Sequence, residues 1–373
     1  AKPLRLPRKP ISPASNTKLP FSSELIFPCK QLAQTESALS ALDDLQAAPA
    51  LSPQLAAFSR HLAACGLSGE ATTRIVSGLN DRLTSRLIKL TAKRHRLPPV
   101  AWCWLALGSE GRHEQTFVTD QDNGLIFSAT DRQEADILRE LFLPFAQEVN
   151  QHLAACGFKL CSGQIMAGNP AWCLSHDEWK SQFIDWVRRP EPTALLNASI
   201  FFDLRPLYGD FSLAETLRTL LLSMTTVTSG FLHLMAANAL QAMVPLSFLG
   251  EVSDKGKDGD GIDLKKYGSR IFVDAARIFA LAGGSRAVNT SDRLRQAGLA
   301  SGLQEDEIVA VDAAFSHILR LRLNHQLADM AAGGDGGHGI RLAQLHDLDK
   351  AILRESLKQA RRLQQRLKLN YSL

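Results

Sequence analysis

Apolar residues recur at helical spacing between about Gln31 and Arg96. The stripes are Ala38, Leu39, Leu42 and Leu45, then Leu55, Phe58 and Leu62, then Ile75, Leu79, Leu83, Leu87 and Leu90. Leu97-Pro98-Pro99 closes this run, and the pattern then changes. Val100 to Leu107 is a short unbroken apolar run stopped by Gly108-Ser109, as expected for a strand covered on both faces. Asn123–Ser128 predicts a second strand, and Ser199–Arg205 a third. Residues 131–155 predict an amphipathic helix, and residues 177–188 another, with Trp179, Phe183 and Trp186 on one face. After Asp210 only helical patterns and loops are expected, broken by Gly/Asp-rich stretches at 254–261 and 333–339.

This pattern divides the chain into an extended or disordered basic lead (1–30), a helical segment (31–96), a small α/β unit (97–212) and a helical unit (213–373). Strands confined to the middle argue against a doubly wound sheet across the whole chain. The fold class is therefore α+β: a small mixed sheet flanked by a helical lead and a C-terminal helical bundle.

Composition narrows the class without deciding it. The 42 basic residues are nearly matched by 38 acidic ones, which argues against a general nucleic-acid binder. The basic excess is local, in residues 1–30 and in the final helix. Six scattered cysteines form neither a zinc pattern nor a disulfide framework, so reduced cytoplasmic thiols are expected. The apolar stretch Leu217 to Phe248 is interrupted by polar residues and Pro245, so buried helices are expected there and no membrane partner.

Chemistry concentrates between Gly108 and Asp122. A strand ending in Gly-Ser leaves backbone N–H groups and a hydroxyl where a phosphate can approach. Asp120 and Asp122, two residues apart at the mouth of the next strand, point the same way by the two-residue period. Two hard carboxylates on one face suit Mg²⁺, with Mn²⁺ as the alternative ion. Asp-x-Asp alone, or Gly-Ser alone, is commonplace; the ordered combination is what carries weight.

That combination resembles the DNA polymerase β-like nucleotidyltransferase superfamily. More closely, GSEGRHEQTFVTDQDNGLI is similar to the bacterial DUF294 nucleotidyltransferases, relatives of the N-terminal domain of PII-protein uridylyltransferases. Leu160–Pro170 with Trp172, and Phe201–Asp210, resemble the family's following segments. Ile262–Gly268, Ala275–Leu281 and Leu321–Gln326 resemble its helical substrate-binding domain. Many members carry cyclic-nucleotide-binding and paired CBS domains ahead of the transferase unit, a pattern the residues before about 60 do not show.

The resemblance implies that Gly108 and Ser109 hold a nucleoside triphosphate and that Asp120 and Asp122 hold metal. It also implies a third carboxylate from a later strand, for which Asp203 is the candidate; the competing reading makes Asp203 an ion-pair partner of Arg205 or another neighbour. Asp185 is a weaker candidate, because its segment reads as helix. Arg112 has two readings, as a phosphate contact with Glu114 as its pair, or as part of a surface ion pair. Lys265 matches the family's Asp-Leu-Lys and would close over phosphates, unless it is simply solvated. Arg322, His325 and Gln326 stand in family-like motifs without an assigned role. The implied function is Mg²⁺-dependent transfer of an NMP from an NTP to a hydroxyl, with a protein as a candidate acceptor and signalling as the setting. The alternatives are a catalytically silent nucleotide-binding regulatory module and a helical scaffold.

Rival signals fail. Asp254–Lys265 has Gly256 and Lys265 where a calcium loop needs oxygen ligands. Gly333–Gly339 follows no strand and so is no dinucleotide fingerprint. His346-Asp347 lacks the flanking ligands of a phosphohydrolase.

Overall fold

The computed structural model describes residues 23–248, 250–253, 261–337 and 339–373, with side chains from Lys30 onward. Most of the basic lead and of the 254–261 break lie outside the described residues. The helical lead starts earlier than expected: α1 spans Ser23–Ala41, so the end of the supposed extended lead is helix. Helices α2 (Ser52–Ala64) and α3 (Gly69–Ala92) follow, α3 being capped by the Ser68 hydroxyl.

The middle unit is built on four strands: β1 (Trp102–Ala106), β2 (Asn123–Phe127), β3 (Cys173–Ser175) and β4 (Arg205–Gly209). Their order is β3-β2-β1-β4, with β1 antiparallel to β2 and β4, and β2 parallel to β3. The sheet is mixed, as the sequence predicted. Its connections hold the one-turn helix α4 (Gly108–Gly111), α5 (Arg132–Ala155), α6 (His176–Arg188) and α7 (Pro192–Phe201).

Both faces of the sheet are covered, which explains the unbroken apolar run of β1. Trp104 and Ala106 join a core with Leu83, Leu87, Phe142 and Phe145 from α3 and α5. Cys103 and Leu105, facing the other way, join a second core with Trp179, Phe183 and Leu217.

Two strand expectations change. Ser199–Arg205 is not a strand: Ser199 to Phe201 end α7, a turn follows, and β4 begins only at Arg205. Pro192 fixes the first turn of α7 and the Ala/Leu/Asn run continues it, so helix wins over the apparent alternation. In the helical unit, β5 (Ile262–Asp263) and β6 (Gly339–Ile340) pair as a short antiparallel ribbon not anticipated from the sequence.

The helical unit comprises α8 (Phe211–Thr225), α9 (Ser229–Ala239), α10 (Arg270–Ala282), α11 (Thr290–Ala297), α12 (Glu305–Ala331) and α13 (Asp347–Tyr371). Residues Ile271 to Leu281 of α10 are all buried, so α10 is its central helix. Among the described residues no single helix is long and apolar enough to cross a membrane. The apolar pair α8–α9 is bent by 95°, and its inward faces join the core.

Helix α3 ties the lead to the helical unit. Gly69 lies so close to α12 that a Cβ there would stand 2.1 Å from the Ser316 carbonyl oxygen. Arg74 of α3 reaches Asp292 at 2.9 Å and Asn289 at 2.7 Å, at the start of α11.

Candidate active site: a cleft between the sheet and the helical unit

A cleft of about 340 Å³ separates the strand ends from α10 and α12. One wall carries Gly108, Ser109, Asp120 and Asp122; the other carries Lys265, Ser269, Phe315 and Arg322.

Strand geometry aims the two aspartates. Gln121, between them, points into the protein and is 1 % exposed. Its amide donates to the backbone oxygens of Asn150 (3.0 Å) and Phe158 (3.1 Å) and accepts from the Asn150 amide at 2.8 Å. Fixing Gln121 inward turns Asp120 and Asp122 outward into the cleft. The next residue is anchored too: the Asn123 carbonyl oxygen side chain accepts from the backbone of Ala167 at 2.8 Å, and its own N–H donates to Ile165. The Leu160–Pro170 segment thus buttresses the Asp-x-Asp pair.

Gly108 occupies the left-handed region (φ +52°), and a Cβ on it would meet Asp122 Oδ2 at 2.6 Å. Leu107 N–H donates to the Asp122 carbonyl at 2.9 Å, so Gly-Ser and the carboxylate pair are locked edge to edge. Burial pushes the Asp122 carboxyl above its usual range; the Cys161 thiol and Lys265 act against that rise, and Asp120 adds to it. Lys265 stands with its Nζ 3.6 Å from Asp120 Oδ2. It extends from the turn Lys265–Ser269, where Asp263 Oδ1 accepts from the backbone N–H groups of Lys265 and Lys266.

Asp203, the candidate third carboxylate, is elsewhere engaged. It is fully buried, and its oxygens accept from Arg277 (2.9 and 2.6 Å), Arg293 (2.6 Å) and Arg112 (2.6 Å). Burial alone would raise its carboxyl, but Arg277, Arg293 and Arg112 hold it far below the usual carboxylate range. It does not line the cleft. The ion-pair reading describes this geometry, although the partner is not Arg205, which pairs with Asp81 at 2.8 Å. Asp185 is exposed on α6, also outside the cleft.

Arg112 lines the cleft while its Nε donates to Glu114 at 2.7 Å and its Nη1 to Asp203. Glu114 is buried, and its other oxygen accepts from the Thr290 backbone N–H at 2.7 Å. The pair is therefore an interior clamp between the sheet unit and α11, not a surface ion pair.

The sequence reading did not single out Asp274, Arg277 or Arg293. The available signal was a charged pair three residues apart inside the apolar run of α10; buried charges of that kind require partners.

With two hard carboxylates side by side, the cleft fits one divalent cation completed by water and phosphate oxygens. Among the described residues no group of three or more His, Cys, Asp or Glu is arranged to hold a metal, so a three-carboxylate centre does not fit this conformation.

The sheet unit, the Gly-Ser/Asp-x-Asp edge and the covering helical unit define a nucleotidyltransferase-type architecture. Residues 53–193 match the family described as "Putative nucleotidyltransferase DUF294", and residues 229–371 match its "Putative nucleotidyltransferase substrate binding domain". The chain belongs to the DUF294 family. No curated protein matches it.

Proposed function

We propose that this protein transfers an NMP from a nucleoside triphosphate to a hydroxyl acceptor with Mg²⁺, and that the acceptor is a protein side chain, as in uridylyltransferase-type signalling in the cytoplasm. The observation that carries this reading is the convergence of Gly108, Ser109, Asp120 and Asp122 on one cleft wall, faced by Lys265.

In this reading Gly108 and Ser109 receive phosphate oxygens, because the missing side chain admits close approach. Mg²⁺ or Mn²⁺ bound by Asp120 and Asp122 would offset charge on the phosphates and orient the attacking oxygen. Lys265, now beside Asp120, would turn to the β- and γ-phosphates. The acceptor oxygen bonds to the α-phosphorus, the bond from that phosphorus to the bridging oxygen breaks, and pyrophosphate leaves as the hydroxyl proton passes to solvent.

One observation favours a second reading, a nucleotide-binding regulatory module without turnover: Asp203 is sequestered by three arginines and does not join Asp120 and Asp122 on the cleft wall. Incubation with each α-labelled NTP, Mg²⁺ and host lysate separates the two. Transfer of label with pyrophosphate release is the expected result. Nucleotide-dependent thermal stabilisation without release would establish the module instead.

A further inference from the structure

Arg322, on the α12 wall of the cleft, has no carboxylate of its own. It is 9 % exposed, and its Nη1 donates to the Ser269 hydroxyl at 3.1 Å. Its Nε is buried without any hydrogen-bond partner, and among the described residues it forms no ion pair. Burial lowers the guanidinium to about 10, so it stays a cation at neutral pH; Asp263 and Glu114 act on it only through space. Phe315 and Leu319, seven and three residues earlier, extend the same stripe of α12 along the cleft. One turn further on, Gln326 is 1 % exposed with neither amide atom bonded.

A buried donor left unbonded, and a buried charge left unpaired, each cost free energy that nothing in the fold returns. The other buried cleft arginines, Arg112 and Arg277, are each bonded to two carboxylates. Arg322 is the contrast: it lines the cleft, yet its enclosed Nε is left without a partner and its guanidinium is held only by the Ser269 hydroxyl. Resting on the nucleotide-site reading above, we infer that Arg322, held by Ser269, is a substrate-binding residue that donates to an oxygen acceptor of the bound nucleotide. Two sources offer that chemistry, a phosphate oxygen and a carbonyl oxygen of the base.

The test measures binding of ATP, CTP, GTP, UTP and inorganic triphosphate, each with Mg²⁺, to wild type, R322M and S269A. R322M should weaken binding about tenfold or more, as for a lost charge-assisted hydrogen bond, and S269A should weaken it less, in the same direction. Loss for one or more of CTP, GTP and UTP, whose bases carry carbonyls, with ATP and triphosphate spared, assigns the base carbonyl; equal loss for every probe, triphosphate included, assigns a phosphate oxygen. Without ligand, R322M should melt no lower than wild type, because a buried unpaired charge has been removed; a structural arginine would give a drop. Unchanged affinity of R322M and S269A for all five probes overturns the inference while leaving the nucleotide site intact. Failure of wild type to bind any probe overturns both. If R322M does not fold, S269A alone decides by the same criterion.

Discussion

Arg277 grips Asp203 with two parallel hydrogen bonds, Nε to Oδ1 at 2.9 Å and Nη2 to Oδ2 at 2.6 Å, both groups fully buried. This bond joins the turn before β4 to the central helix of the helical unit, and Arg293 and Arg112 complete the cage. Removing one partner of a buried ion pair leaves the others uncompensated, at a cost of about 3–5 kcal/mol. Asp203→Asn should therefore lower stability by about that amount in urea denaturation. A shift within experimental error would show that the cage is not structural.

Gly108 admits no side chain. Its φ of +52° disfavours one, and Cβ would stand 2.6 Å from Asp122 Oδ2. Gly108→Ala should cost about 1–2 kcal/mol of stability from the left-handed backbone alone. It should also weaken Mg²⁺-dependent nucleotide binding by displacing Asp122. Calorimetric titration with an NTP, alongside a melting curve, checks both effects.

Glu110, buried on α4 behind the Gly-Ser turn, gives a pH signature. Burial and the neighbouring Asp81 push its carboxyl up to about 8, from 4.5 when unfolded. Between those values folding takes up a proton, so stability falls as pH rises. His113 acts oppositely: burial, with Arg205 nearby, holds it down to about 4, so its contribution rises with pH up to 6.5, its ordinary value. The two oppose each other below 6.5, and Glu110 acts alone from there to 8. Glu110→Gln should remove about 1–2 kcal/mol of stability loss between pH 6.5 and 8, by the linkage slope. Parallel denaturation midpoints for both proteins across that window would refute this by coinciding in slope.

The part of the site that lies within one continuous stretch was legible in the sequence. Gly108-Ser109 follows the end of β1 and Asp120-x-Asp122 precedes β2, so alternation aims the two aspartates; β1 and β2 followed from short apolar runs, and α5 and α6 from helical periodicity. Asp203 shows the limit: an acidic residue interrupting apolar neighbours marks a buried charge but does not reveal its partners. Those partners, Arg277 and Arg293, come from helices 74 and 90 residues away. The end of α7 misled for a related reason, since a short apolar run fits helix and strand equally until its packing is known. Ribbon β5–β6 was invisible because two-residue strands carry no period.

The claim that Gly108-Ser109 and Asp120-x-Asp122 form one metal-and-nucleotide site is tested most directly by nucleotide affinity as a function of Mg²⁺. Wild type should bind an NTP analogue at least tenfold tighter with Mg²⁺ than with EDTA. In Asp120→Asn/Asp122→Asn that dependence should vanish while the melting temperature is kept or raised, because the substitution removes a like-charge pair. Equal Mg²⁺ dependence in wild type and the double variant would contradict the account.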